Sequence, residues 1–138
     1  MIKFVSYPRC GSHYLRSLME DYSGMRDSRW SSTNNGDYWC HHYHDRWPGC
    51  ELGDKIDGKV LLLYRDPVDV TFSIMKYHGS HSWEPLADEY LNHCKKWFRE
   101  DIAEDKLTIR YEDLTSSDMA TRVKTFFGLL DFADLGIE

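Results

Sequence analysis

The amino-acid sequence predicts an α/β fold: a mostly parallel sheet covered by helices on both faces. Three observations lead there. Strand-like apolar runs alternate with segments of helical periodicity along the chain. One run, "KVLLLY" at 59–64, is apolar at successive positions, as a strand buried on both sides requires. The chain has 138 residues, 41% of them hydrophobic and 14% aromatic, which suits a single domain, 1–138, with a modest core.

The elements follow in order. Residues 2–7, "IKFVSY", read as a first strand. Residues 12–23 read as a helix with Tyr14, Leu15, Leu18, Met19 and Tyr22 on one face. The polar, turn-rich stretch 24–37 reads as a loop, and "YWCHHYH" at 38–44 as an aromatic-rich strand. Residues 45–58 hold Pro48, Gly49, Gly53 and Gly58 and read as irregular. After the 59–64 strand, Pro67 suits the first turn of a helix in which Val68, Phe72 and Met75 keep helical spacing. Residues 79–84 read as a loop. A long helix follows from about Pro85 to Asp101, with Leu86, Tyr90, Cys94, Trp97 and Phe98 inward. "KLTIRY" at 106–111 is a further strand. Ser116 or Ser117 then caps a last helix with Met119, Val123, Phe126, Phe127 and Leu130 inward. No repeat and no linker divides the chain.

In parallel sheets ligands bind beyond the carboxyl ends of the strands. Several chemically capable residues fall at those ends: Arg9 to Tyr14, His42 and His44, Arg65, and Tyr111 to Asp113. In "SYPRCGSHYLRSLM", Gly11 lets backbone approach a ligand. The first amides of the following helix lack partners and carry partial positive charge. Ser12 adds a hydroxyl and Arg9 a planar fork of donors, a set that fits phosphate or sulfate. The same residues also make a plain strand–helix turn. Arg65 and Ser73 lie two helical turns apart, close enough for a second anion clamp; equally, Arg65 can pair with Asp66 or Asp69.

Other classes are excluded or set aside. The formal charge of −6 argues against non-specific nucleic-acid binding. No stretch is long and apolar enough to span a membrane, and no secretory leader pattern opens the chain, which makes the cytoplasm the expected compartment. The scattered Cys10, Cys40, Cys50 and Cys94 read as free thiols. "GxxxxGK[ST]" is absent, against a P-loop kinase. "CHHYHD" offers a metal alternative, because Cys40, His42 and His44 alternate onto one strand face near Asp45 and Cys50. Ligands at i, i+2 and i+4 of one strand converge poorly on a single ion, so no metal is expected.

Four stretches, in order, resemble the sulfotransferases. "SYPRCGSHYLRSLM" resembles their phosphosulfate loop, Y-P-[KR]-S-G-[TNS]-T-W-L, and "RDPVDVTFSIMKYH" their 3′-phosphate motif, R-[ND]-P-x-D-V-x-V-S. "EYLNHCKKWF" and "IRYEDLTSSDMATRVKTFFGL" are similar to their later helix and Y-E-D-L segment. The resemblance implies a P-loop-like three-layer α/β fold and 3′-phosphoadenylyl sulfate as co-substrate. It places Arg9 near the bridging oxygen, Cys10, Gly11, Ser12 and His13 around the 5′-phosphate, Tyr14 on the adenine face, Arg65 and Ser73 at the 3′-phosphate, and Tyr111 in the adenine pocket. It also implies a histidine base at a strand end, for which "CHHYHD" offers His41, His42 and His44. His44 is nearest the end, and His42 stays open beside it. Cys10, His13 and Tyr14 stand where the pattern has Ser, a hydroxyl residue and Trp. The sequence ends at Glu138, where the family pattern continues into a basic "RKG" segment.

The implied reaction moves a sulfuryl group in line to a hydroxyl or amine of a small-molecule or carbohydrate acceptor. A neutral His takes the acceptor's proton, and Arg9 steadies charge on the departing phosphate. A nucleotide-binding protein without catalysis is the runner-up. Trp30, Trp47 and Trp83, read as loop residues, can contact an acceptor or an interface, and self-association is open.

Overall fold

The computed structural model describes residues 2–23, 40–46, 51–79 and 82–127. The elements are β1 (Ile2–Ser6), α1 (Ser12–Ser23), β2 (Cys40–Tyr43), β3 (Ile56–Tyr64), α2 (Pro67–His78), α3 (Trp83–Trp97), β4 (Ala103–Arg110) and α4 (Met119–Phe127). One-turn 3₁₀ segments at Glu100–Ile102 and Tyr111–Asp113 flank β4. The four strands form one sheet in the order β2-β1-β3-β4, and every pairing is parallel.

β3 explains the sheet's centre. Val60 to Leu63 are each at most 1% exposed. Alternation sends Leu61 and Leu63 to one face, with Phe4, Leu15, Val70, Ile74 and Tyr90, and sends Val60 and Leu62 to the other, with Val5, Trp97 and Ile102. The sheet is thus flanked by helices, the α/β architecture expected.

Several details differ from the sequence reading. β3 starts at Ile56, not 59, because Gly58 at φ 87° carries the chain through an irregular register between Ile56 and Lys59 while pairing with β4 persists. The inward stripe of α2 is Val70 and Ile74 with Thr71; Val68 and Phe72 are 58% and 63% exposed. Both stripes have helical spacing, and only the position of the sheet selects between them. α3 begins at Trp83, so that residue opens a helix, not a loop. Phe98 follows the helix and stays exposed, its ring edge-on to Tyr64 at 4.9 Å. Tyr14 sits half-exposed on α1. The 24–37 loop, Trp30, Trp47 and Cys50 lie outside the described residues, as do the side chains of Leu18, Met19, Tyr22, Cys40, His41, Phe126, Phe127 and Leu130. No helix among the described residues is long and apolar enough to cross a membrane.

Candidate functional site

The strand order creates the site. β1 leads through α1 to β2 on one side, and β3 leads through α2 and α3 to β4 on the other. Where neighbouring strands send their connections in opposite directions, a crevice opens at their carboxyl ends. The β1–α1 turn and the β3–α2 turn flank that crevice.

The first turn is held in an unusual backbone shape. Arg9 has φ 69° and Gly11 φ 89°. For a side-chain-bearing residue such as Arg9 this region costs about 1–2 kcal/mol. Three contacts hold it. The Arg9 carbonyl accepts from Arg65 Nη1 at 3.2 Å, Arg9 Nε donates to Ser73 Oγ at 3.1 Å, and its guanidinium lies 4.7 Å from the Tyr77 ring centre. Gly11 is required on two grounds. Its φ favours glycine, and a Cβ there would lie 2.8 Å from Tyr111 Cδ2 and 2.9 Å from Leu114 Cδ1. The first helical bond of α1 runs from Leu15 N–H to the Gly11 carbonyl at 3.2 Å. The preceding amides of Ser12, His13 and Tyr14 are therefore left over by the helix itself.

The second turn is fixed by a buried tyrosine. The Tyr90 hydroxyl donates to the Arg65 carbonyl at 2.6 Å and accepts from the Arg65 amide at 3.0 Å. Burial raises the Tyr90 phenol well above its ordinary range, so it remains a donor. Asp66 caps α2 by accepting from the amides of Val68 and Asp69. That leaves Arg65 to lie over the Tyr111 ring, 4.1 Å from its centre. Among the described residues, neither Arg9 nor Arg65 meets a carboxylate at ion-pair distance, and Arg65 Nε is buried without a protein acceptor. Two guanidiniums and a helix start thus line one space, and among the described residues no carboxylate pairs with either guanidinium.

That space is a cavity of about 830 Å³ lined by Arg9, Gly11, Ser12, His13, Tyr14, Arg65, Tyr111 and His44, with Tyr77, Glu112 and Thr115 also on its wall. Glu112 lies 3.8 Å from Arg110. The volume falls in the range that nucleotide-sized ligands occupy.

The remaining candidates separate. His44 Nδ1 bonds the Ser6 carbonyl at 2.6 Å. A carbonyl only accepts, so the proton sits on Nδ1 and Nε2 is the basic nitrogen. His42 is buried: its Nε2 bonds Ser6 Oγ at 2.7 Å, Arg16 Nη1 lies 3.4 Å from its Nδ1, and its ring stacks on Phe4 at 4.6 Å. It does not line the cavity. Cys10 also turns away, into the core, with Sγ 4.0 Å from the Tyr90 hydroxyl; burial pushes its thiol up to about 12. Only its backbone remains at the turn. Ser73 is not on the cavity wall, and its hydroxyl meets Arg9 rather than pairing with Arg65.

The metal alternative finds no gathered ligand set among the described residues. Asp45 accepts from Lys96 Nζ at 2.7 Å and Trp97 Nε1 at 2.9 Å, and so serves the core of α3. Beside it, burial pushes the His93 imidazole down to about 4, with Lys96 and His44 acting the same way and Asp45 opposing.

Three contributors escaped the sequence reading. Tyr77 carries no motif and reads as an ordinary helix residue. Tyr90 was legible as buried but not as the clip on Arg65. Arg16, 2% exposed, sits where helical periodicity alone gives no reason for a buried cation.

No protein-family model matches the chain, and no curated protein matches it. Among solved structures, it is similar to that of the mouse sulfotransferase SULT7A1 complexed with PAP, at a TM-score of 0.63 and 16% identity. The match covers 97% of this chain, which spans 61% of that one. The chain has a sulfotransferase-like fold.

Proposed function

We propose that this chain binds 3′-phosphoadenylyl sulfate and transfers its sulfuryl group to an acceptor hydroxyl or amine. The observation that carries this reading is the convergence of Arg9 and Arg65, neither paired with a carboxylate among the described residues, on one cavity between two neighbouring strand ends. A ligand with anionic groups at two ends and a flat ring between them satisfies such a site. The fold's likeness to a sulfotransferase complexed with PAP supports the same ligand class.

In this reading the leftover amides of Ser12 and His13, the Ser12 hydroxyl and Arg9 hold the phosphosulfate end. Arg65 holds the 3′-phosphate, and Ser73 acts through Arg9. Tyr14 and Tyr111 offer ring faces to adenine. His44 Nε2 takes the proton from the acceptor as the acceptor–sulfur bond forms and the sulfur–oxygen bond to phosphate breaks. Arg9 stabilises the charge left on that phosphate oxygen. Fixed donors supply most of the catalysis, as in phosphoryl transfer. The acceptor is a small molecule or carbohydrate, and the cytoplasm is the proposed compartment.

The test is direct. Purified protein is titrated with adenosine 3′,5′-bisphosphate by calorimetry, then incubated with ³⁵S-labelled 3′-phosphoadenylyl sulfate and a panel of phenols, sugars and amines. Saturable binding with label transfer is the expected result. Binding without transfer across the panel points to a nucleotide-binding protein without catalysis, and absence of binding removes the proposal.

A further inference from the structure

We propose that Tyr90 is a positioning residue: from the core side it ties the β1–α1 turn to the β3–α2 turn, and so sets the spacing between the two ends of the cavity that hold one two-ended anion. The anion's identity rests on the function proposed above; the tie does not.

α3 brings Tyr90, 1% exposed, against both turns. On the β3–α2 side its hydroxyl donates to the Arg65 carbonyl at 2.6 Å and accepts from the Arg65 amide at 3.0 Å. On the β1–α1 side the same oxygen lies 4.0 Å from Cys10 Sγ, whose S–H is a weak donor. Burial keeps that thiol protonated, and the Arg65 backbone interacts with the same sulfur. The Tyr90 ring also meets that of Tyr7, just before the first turn, at 4.9 Å between centres. Cys94, one helical turn further along α3, meets the hydroxyl too. A phenylalanine ring would fill the same core volume with no hydroxyl to bury. Burying one is costly unless it is bonded. Here it is bonded to both backbone groups of Arg65 and touches the residue between Arg9 and Gly11.

A second tie joins the turns on the cavity side, from Arg65 Nη1 to the Arg9 carbonyl at 3.2 Å. That tie uses a guanidinium that lines the cavity, so an anion bound there competes for its donors. Tyr90 does not line the cavity, and a ligand in it does not compete for the core-side bonds. A ligand with two anionic ends gains from its second end only where the two holders keep a matching separation. Holding that separation in advance removes an ordering cost from binding. The preference for a two-ended ligand over either half is therefore the quantity that Tyr90 controls.

Tyr90→Phe removes the hydroxyl and keeps the ring. Calorimetry compares adenosine 3′,5′-bisphosphate with adenosine 3′-monophosphate and adenosine 5′-monophosphate on wild type and variant. The bisphosphate should bind Tyr90→Phe about tenfold more weakly, and each monophosphate less than about threefold more weakly. Cys10→Ala cuts the link to the first turn while leaving the clip on Arg65, and serves also if Tyr90→Phe does not fold. It should show the same pattern at about threefold for the bisphosphate. Hydrogen exchange reads the tie without ligand. The Leu15 amide, bonded to the Gly11 carbonyl at 3.2 Å, reports the first turn, and the Val70 amide, bonded to the Asp66 carbonyl at 3.0 Å, reports the second. Both should exchange faster in Tyr90→Phe relative to the Arg122 amide of α4, which a general loss of stability would speed equally. Unchanged bisphosphate affinity in either variant, monophosphates that weaken as far as the bisphosphate, or Leu15 and Val70 no faster than Arg122 overturns the proposal. If the wild type binds none of the three nucleotides yet Leu15 and Val70 loosen together in Tyr90→Phe, the functional reading falls and the tie stands.

Discussion

Replacing Arg65 by alanine separates a ligand-binding role from a structural one. Among the described residues the side chain bonds the Arg9 carbonyl through Nη1 at 3.2 Å and stacks on Tyr111 at 4.1 Å. Together these are worth about 1–2 kcal/mol at a partly exposed site. Their loss loosens the Arg9 turn and weakens any nucleotide equally. A direct bond to a 3′-phosphate adds about 1.5–3 kcal/mol, roughly 10- to 150-fold, for a ligand that carries that phosphate. Calorimetry with adenosine 3′,5′-bisphosphate and adenosine 5′-monophosphate, on wild type and Arg65→Ala, isolates the difference. The wild type should favour the bisphosphate strongly, and the variant should lose most of that preference. Equal loss for both ligands would refute the reasoning, because Arg65 would then act only by shaping the Arg9 turn.

Other predictions follow from the same geometry. His44→Ala should lower turnover by 100-fold or more with nucleotide affinity little changed, on the order of general-base effects; full activity removes it as the base. His42→Ala should instead destabilise the fold by about 2–4 kcal/mol, since it empties a buried ring and strands the Ser6 hydroxyl, as chemical denaturation would read. Gly11→Ala should weaken nucleotide binding and lower the melting temperature, for its Cβ meets Tyr111 and Leu114 below 3.0 Å; a wild-type melting curve and affinity would contradict that crowding. His93 is held down to about 4 from 6.5 by burial, so the unfolded chain binds the extra proton first. Stability from this group is complete above about pH 6.5 and is lost as pH falls toward 4, by about 3 kcal/mol in all. Denaturation midpoints at pH 7 and 5 should converge more closely in His93→Phe than in wild type; identical pH slopes would count against it.

The legible part of this protein is local. "KVLLLY" announces a central strand because apolar side chains on both sides of a pleat need cover on both faces. "RCGSH" and "RDPVD" announce turns into helices because Gly11 permits backbone angles that other residues avoid, whereas Pro67 fixes φ at a value suited to a helix's first turn. Those are properties of neighbouring residues, and the α/β class followed from them. The choice of face on α2 was less accessible. Val68 with Phe72 and Val70 with Ile74 share the same spacing, and only the sheet's location decides which pair is covered. The bond between Arg9 and Ser73, 64 residues apart, and the Tyr90 clip on Arg65 had no signature in spacing.

By itself, then, the sequence determined which segments are strands and helices and which residue types stand at their junctions, because periodicity and turn chemistry act over a few residues. The tertiary structure decided what those junction residues face. Parallel pairing in the order β2-β1-β3-β4 sets two turns from distant parts of the chain across one crevice. Burial committed His42 to the Ser6 hydroxyl, while His44 bonds the Ser6 carbonyl and stays on the cavity wall, a separation of two histidines on one strand face that only the packing around them decides.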